Sequence, residues 1–346
     1  MIRNFTGVSG SRTAYLLAKT LREENKLLAV VSGGQAAVSL AEDLVFCVPE
    51  AEVIVLPESE DVQVLYEARD RAALIERIKA LQILSDSRDS INTPVAIIAP
   101  ISSAIKLTAD PARFTANITC IKTGDRIEPS LFRAVLASAG YKPGSVTESE
   151  GEFSSRGDIL DVYPPAAGHP VRIEFFDDEV ESIREFDSDS QRSLNVLDEI
   201  SIGPAAEFVP TNEEKEKALA AIVKEYDKRI KKIRKELPNP DSADGRIDKL
   251  EEYKGRIKDI FEGNMNLQIY ADFLEYFDVP KFRLWDFISD GGLALVDPES
   301  TQKELSESYS PEDFYEIYKT AKIDVYTPFP ERIEGADRID EIINIK

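Results

Sequence analysis

Two short stretches carry residue types suited to nucleotide chemistry. Gly7-Val8-Ser9-Gly10-Ser11-Arg12-Thr13-Ala14 precedes the first apolar-periodic helix, where a phosphate-binding loop would lie. Such a loop reads Gly-(x4)-Gly-Lys-Ser/Thr, because glycines let backbone N–H groups wrap the phosphates while the Lys reaches the outer oxygens. Aligned on Gly7 and Gly10, the second required Gly is Arg12 and the Lys is Thr13. A long side chain fills the phosphate nest and the cation is missing. An ordinary helix start with Ser11 as cap explains the stretch as simply. Near the other end, Gly292 to Val296 reads as a buried strand followed by Asp297-Pro298-Glu299. A Mg²⁺-holding strand end needs an Asp and then a water-positioning Glu. Pro298 fixes φ and moves Glu299 off that register. Asp297 and Glu299 therefore read either as a decayed motif or as a plain Asp-Pro turn. Neither supports catalysis.

A third stretch, Gly151 to Phe208, suits recognition better than catalysis. Glu152 to Tyr163 reads as a strand ended by Pro164-Pro165. Val171 to Phe176 is a second strand, and alternation sets Val171, Ile173 and Phe175 on one face and Arg172, Glu174 and Phe176 on the other. Asp177-Asp178 is a two-residue turn. Glu179 to Phe186 returns, and the spacing by three of Val180, Ile183 and Phe186 implies a bulge. An Arg and an aromatic on one polar face are residue types enriched at interface hot spots. A solvated face with Phe176 covered by a loop is the alternative.

The elements around these stretches alternate. Helices are expected at Ser11 to Arg22, Gln35 to Leu44 and Asp70 to Leu84, and strands at Leu27 to Ser32, Glu52 to Leu56 and Val95 to Ala99. Strand–helix alternation with continuous apolar strands means a parallel sheet, the layout of a RecA-like lobe or of another nucleotide-binding α/β fold. Glu128 to Ala139 is a helix ended by Gly140. Glu213 to Leu237 and Arg246 to Phe261 form an amphipathic helical hairpin joined by a Pro238 to Gly245 loop. Its Lys228 to Lys235 run, KRIKKIRK, reads first as a solvated face, with nucleic-acid contact the second option. Gly292 to Val296 and Ile323 to Tyr326 supply late strands, with a helix at Pro311 to Ala321 between them.

Composition narrows the classes. The 346 residues carry 64 acidic and 42 basic side chains, a net charge of −22, which argues against a dominant non-specific DNA-binding surface. Cys47 and Cys120 show no metal spacing and read as reduced core thiols of a cytoplasmic protein. The single His, His169, leaves almost nothing for a His-based triad or metal site. Asp177-Asp178-Glu179 reads as a turn of solvated carboxylates. No metal or cofactor is expected. No apolar run reaches 18 residues and no basic-then-apolar leader is present, so neither membrane span nor signal peptide is expected.

The run Gly-Glu-Phe-(x2)-Arg-Gly-Asp-Ile-Leu-Asp-Val-Tyr-Pro, then Arg172-Ile-Glu-Phe-Phe-Asp-Asp-Glu, Ile183-Arg184 and Gln191-Arg192-Ser193-Leu194, resembles the UvrA-interaction domain shared by bacterial transcription-repair coupling factors and the excision-repair helicase subunit UvrB. The Phe186 to Leu194 ending is closer to the coupling factors. The resemblance is specific from Gly140 to Phe208 and looser elsewhere. It implies UvrA binding through Arg156, Arg172 and Phe176. It implies a degenerate RecA-like (P-loop-type) α/β body made of residues 1–123 and 209–346, with a mainly-β α+β interaction domain, 124–208, inserted. It also implies a non-catalytic adaptor bringing UvrA to stalled RNA polymerase, with the other domains of the coupling factor, RNA polymerase and DNA reached through the full-length protein. In the family that surface is masked until DNA is engaged. No translocase motif appears, so the chain is expected to be a fragment, or one whose motor is lost. The alternative is an ATP-dependent helicase or translocase subunit with aberrant nucleotide motifs. Titration with MgATP distinguishes them: the adaptor reading expects no saturable binding at millimolar nucleotide, and a saturable isotherm removes it.

Overall fold

The computed structural model describes residues 2–59, 71–86, 92–237, 245–263, 267–305, 309–320, 322–328 and 337–338. In chain order, β1 (Ile2–Thr6) leads into α1 (Ser11–Glu24), β2 (Lys26–Val31), α2 (Gly34–Cys47), β3 (Glu52–Val55), α3 (Arg71–Ser85), β4 (Val95–Pro100) and α4 (Ile101–Ala104). Then come α5 (Pro111–Thr115), β5 (Thr119–Lys122), α6 (Pro129–Ser138), β6 (Lys142–Gly144), β7 (Glu152–Arg156), β8 (Ile159–Val162), β9 (Val171–Phe176), β10 (Glu179–Phe186), β11 (Ser193–Leu197) and β12 (Glu199–Ile202). The helices α7 (Asn212–Glu236) and α8 (Gly245–Gly263) precede two 3₁₀ segments, Leu267–Tyr276 and Leu284–Phe287. The chain closes with β13 (Gly292–Val296), α9 (Pro298–Lys303), α10 (Pro311–Tyr315), β14 (Ile323–Thr327) and β15 (Asp337–Arg338).

Two compact units result. The first holds the described residues of 1–62, 69–106 and 282–346, and the second those of 107–281. In the first, seven strands run β15-β1-β14-β13-β2-β4-β3, all paired parallel. The runs KLLAVV and VAIIAP are buried at every position, as strands covered on both faces must be. Leu17 and Leu21 of α1 and Leu40 and Leu44 of α2 share one core with Leu27, Ala29 and Ile98 of the sheet. Lys26 is fully buried, and its ammonium donates to the carbonyls of Leu84 (2.9 Å) and Asp86 (2.5 Å) and lies 2.7 Å from the Asp290 carboxylate. Two carbonyl acceptors and an adjacent carboxylate are what make a buried ammonium tolerable.

In the second unit, a six-stranded sheet ordered β11-β10-β9-β8-β7-β6 is antiparallel except where β6 meets β7. Its inner face and α6 bury Phe132, Leu136, Phe153, Leu160, Val171, Ile173, Val180 and Ile183 together. A ribbon of β5 and β12 adds Ile121 and Ile202 to that core. The rest of the unit is helical, with Ile222, Phe261, Tyr270 and Phe277 packed around Phe208. The fold is therefore mixed α/β, with one parallel and one mainly antiparallel sheet.

Several local expectations change. Glu152 to Tyr163 is a hairpin, β7 and β8, because Gly157 at φ +60 supplies the left-handed residue that a tight turn needs. The N-cap of α1 is Gly10, at φ 57, with no side-chain cap bond, and Ser11 is the first helical residue. The helix expected over Pro311 to Ala321 becomes 3₁₀ after Tyr315. Cys120 is exposed and Cys47 half-buried, so neither is a core thiol: on β5 it is Ile121 that points inward. The helical pair α7–α8 falls in the second unit, whereas the sequence grouped it with the closing strands. Of its connecting loop, residues 238–244 lie outside the described residues.

The root of α7 is fixed by one ion pair. Thr211 and Glu214 form a reciprocal capping box, and the Arg113 guanidinium forks onto both Glu214 oxygens at 2.8 Å while donating to Val209 O at 2.6 Å and stacking 4.8 Å from the Phe208 ring centroid. The Arg113 hydrogen bonds and the Thr211 backbone N–H hold the Glu214 carboxyl at about 2, against an ordinary 4.5. A depressed carboxyl stabilises the fold above its unfolded value, and this contribution disappears as pH falls from 4.5 to about 2. Arg113→Ala is expected to cost about 2 kcal/mol at neutral pH. In urea unfolding at a series of pH values, the gap between wild type and variant should close across that acid window. A gap independent of pH would assign the loss to packing on Phe208.

Candidate protein-interaction site

The outer face of the six-stranded sheet gathers the three residues that the sequence singled out, Arg156, Arg172 and Phe176. Pairing of Arg156 with Ile159, and of Ile159 with Glu174, carries Arg156 onto the face of β9 that bears Arg172, Glu174 and Phe176. On β10 the register shifts between Val180 and Ser182, the expected bulge. It keeps Val180 and Ile183 in the core while turning Ser182 and Arg184 outward, opposite Glu174 and Arg172. Phe186 follows Arg184 by two and lies outside that inner core, so the spacing by three that placed it beside Val180 and Ile183 is broken by the bulge.

The three candidate residues differ in what holds them. Phe176 is 74% exposed at the end of β9, just before the Asp177-Asp178 turn, where Asp177 adopts φ 59. Arg156 ends β7 at the neighbouring hairpin turn, exposed, with one guanidinium N–H donated to Ser145 O at 2.9 Å. Two strands apart at about 4.8 Å each, and two residues out of register at about 3.3 Å each, the two positions lie about 12 Å apart. Arg172 sits about 13 Å back along β9, at 3.3 Å per residue. It is already engaged: its fork donates to both Asp161 oxygens at 2.7 and 2.8 Å, reaches Gln191 Oε1 at 3.3 Å, and covers the fully buried Phe186 ring at 4.7 Å. The Asp161 hydrogen bond raises the Arg172 pKa. Beside it, Arg184 donates to Glu174 at 2.6 Å and Ser182 to the same carboxylate at 2.7 Å.

The face thus divides. Around Arg172 it is an interlocked polar lattice; toward the hairpin turns it is open and partly apolar. Ile159 is 36% exposed next to Arg156; on the far side of the lattice, Val196, which pairs with Arg184, is 76% exposed. The sequence reading missed both. The alternating Leu194 and Val196 of β11 were the available signal for the second. The Asp178 and Glu179 carboxylates of the turn are paired with Arg126 at 3.1 and 3.4 Å. Among the described residues, no group of three His, Cys, Asp or Glu is placed to hold a metal ion, and no helix is long and apolar enough to cross a membrane.

The nucleotide-like residues do come to one edge of the parallel sheet. The Gly7 to Gly10 turn leaves the carboxyl end of β1, Asp297 leaves that of β13, and β14 lies between. Val8 N–H donates to Thr327 O at 3.0 Å and Asp297 N–H to Tyr326 O at 2.8 Å. Each residue there serves a local purpose. Arg12 is exposed on α1 and Thr13 is buried beneath it. Asp297 caps α9, accepting from Ser300 N at 3.2 Å and Ser300 Oγ at 2.7 Å. Glu299 pairs with Lys303 on the surface at 2.6 Å.

The division of the face sets an expectation for stability. Arg172→Ala leaves the buried Asp161 carboxylate without its partner and should cost about 2 kcal/mol. Phe176→Ala removes a ring already in water and should change stability by less than about 0.5 kcal/mol. Urea unfolding of the two variants checks this, and equal stabilities would mean that the fork is not structural.

The "UvrB interaction domain" family matches residues 120–208, the sheet just described with its flanking ribbon. The transcription-repair-coupling factor of Bacillus subtilis (strain 168) is 28% identical over 308 residues, 89% of this chain and 25% of that protein. That of Staphylococcus epidermidis (strain ATCC 35984 / DSM 28319 / BCRC 17069 / CCUG 31568 / BM 3577 / RP62A) is 27% identical over 309 residues, with the same shares. That of Staphylococcus aureus (strain MRSA252) is 30% identical over 209 residues, 60% of this chain and 17% of that protein. Residues 120–208 therefore match the UvrB interaction domain, and the chain, similar along most of its length to transcription-repair-coupling factors, spans about a quarter of the length of the first two of these relatives.

Proposed function

We propose that this chain is a non-catalytic adaptor module that binds UvrA and, within a longer coupling factor, recruits it to stalled RNA polymerase. The single observation carrying this reading is Phe176: a large ring left 74% exposed on the domain that matches the UvrB interaction family, with Arg156 at the adjoining turn. Burying such a ring contributes about 2–3 kcal/mol, and an arginine fork onto a partner carboxylate adds orientation. In this reading Arg172 acts at one remove. Its fork onto Asp161 stiffens β8 and β9, which present the two exposed residues.

The seven-stranded unit is read as a degenerate RecA-like body with the interaction domain inserted between β4 and β13. Support comes from its parallel order and from the two nucleotide-like segments meeting at the carboxyl edge, where α/β sheets hold ligands. Arg12, Thr13 and Pro298 stand against the alternative of an ATP-dependent helicase subunit, because they remove the phosphate nest, its cation and the carboxylate register. Calorimetry with UvrA tests the proposal. The chain should bind at micromolar affinity or tighter, and Phe176→Ala with Arg156→Ala should weaken binding at least about 30-fold, the loss of roughly 2 kcal/mol. Absence of binding by the wild-type chain rejects the partner, and undiminished binding by the variant rejects the site.

A further inference from the structure

One charged surface is left unused by the adaptor reading. On α7, Lys224, Lys228, Lys231 and Lys235 recur at i, i+4, i+7 and i+11, with Lys232 alongside. At 100° per residue they form one stripe opposite the face that buries Ile222 and Ile230, extending about 16 Å at 1.5 Å per residue. All five are exposed, and none makes an ion pair with a described residue. The nearby acids are taken: Asp227 is held by Lys254 at 2.9 Å and Glu225 by Arg229. Like charges at i, i+4 destabilise a helix by about 0.2–0.5 kcal/mol per pair, offset in part at Lys231 by the Asp227 carboxylate one turn before it. In a chain of net charge −22, a row of unpaired cations stands out as a local reversal of sign.

We propose that this stripe binds the phosphate backbone of a nucleic-acid duplex. Four features favour that ligand. The cations are all lysines, point charges suited to phosphates rather than to fork recognition. Lysine is depleted at protein–protein interfaces, and the stripe holds no apolar or aromatic anchor of the kind that dominates them. The lack of an aromatic in the stripe also disfavours single strands, whose bases need a stacking platform. The straight helix keeps the charges in line, as a groove-side run of phosphates requires. Contact is non-specific and confined to four or five phosphates. The surrounding acidic surface keeps it weak and strongly dependent on salt.

Fluorescence anisotropy with a labelled DNA duplex of about 25 base pairs, titrated from about 20 to 150 mM salt, tests this. The expected slope of log K against log salt is about −4, from roughly −0.9 per phosphate neutralised. The combined variant Lys224→Gln, Lys228→Gln, Lys231→Gln and Lys235→Gln should lose at least tenfold in duplex affinity at the lowest salt, with helix content unchanged by circular dichroism. UvrA binding by this variant should match wild type, which separates the stripe from the sheet surface. Any of three results overturns the proposal: no duplex binding at the lowest salt, affinity unchanged in the variant, or tighter binding of poly-glutamate or a single strand than of the duplex.

Discussion

The geometry of the outer sheet face depends on the Arg172 fork. One guanidinium ties β9 to β8 through both Asp161 oxygens and roofs the Phe186 ring against water. Phe186 lies on the outer side of the sheet, where a fully buried aromatic has no place without a cover. The bulge on β10 made that cover necessary, because it moved Phe186 away from the inner core. A planar cation can stack on a ring and chelate a carboxylate at once, which a lysine cannot. Beyond the fork, Phe176 and Arg156 stand exposed at the two hairpin turns, and Val196 is exposed on β11 in the row of the fork itself.

Much of the fold was legible because local patterns and tertiary packing agree. LLAVV and VAIIA are too continuously apolar for a half-exposed strand, and both are central parallel strands. The start of α7 follows from Thr211 and Glu214, a capping box visible in the sequence. Elements without such signals were missed. Thr119–Lys122 and Glu199–Ile202 are short, and their pairing joins segments almost eighty residues apart, which no local window reveals. Gly157 was read as a residue within a strand, although a glycine there signals a turn or bulge.

The site was legible in type more than in role. Alternation placed Arg172 and Phe176 on one face, and the register agrees. Alternation could not show that Asp161, eleven residues earlier in the chain, would already occupy the Arg172 fork. It also gave no reason to include Ile159, whose exposure arises from which strands end up as neighbours, whereas the alternating Leu194 and Val196 were a signal left unread. The nucleotide-like segments show the converse. Gly7, Gly10 and Asp297 keep their place at the carboxyl edge of the sheet, while capping, burial and a surface ion pair account for the chemistry of their neighbours.

The parallel sheet joins residues from opposite ends of the chain. Ile2 pairs with Ile323, and the Arg3–Asp324 fork spans a separation of 321 residues. During synthesis from the N-terminus, β1 and one edge of β2 must wait for partners until β13 and β14 emerge. The contiguous residues 107–281, complete long before then, can fold at once. The adhesive half-sheet thus persists longest on the ribosome, with open edges whose pairing is inherently slow. The contiguous unit can therefore complete its contacts before the unit whose neighbouring strands are more than 300 residues apart.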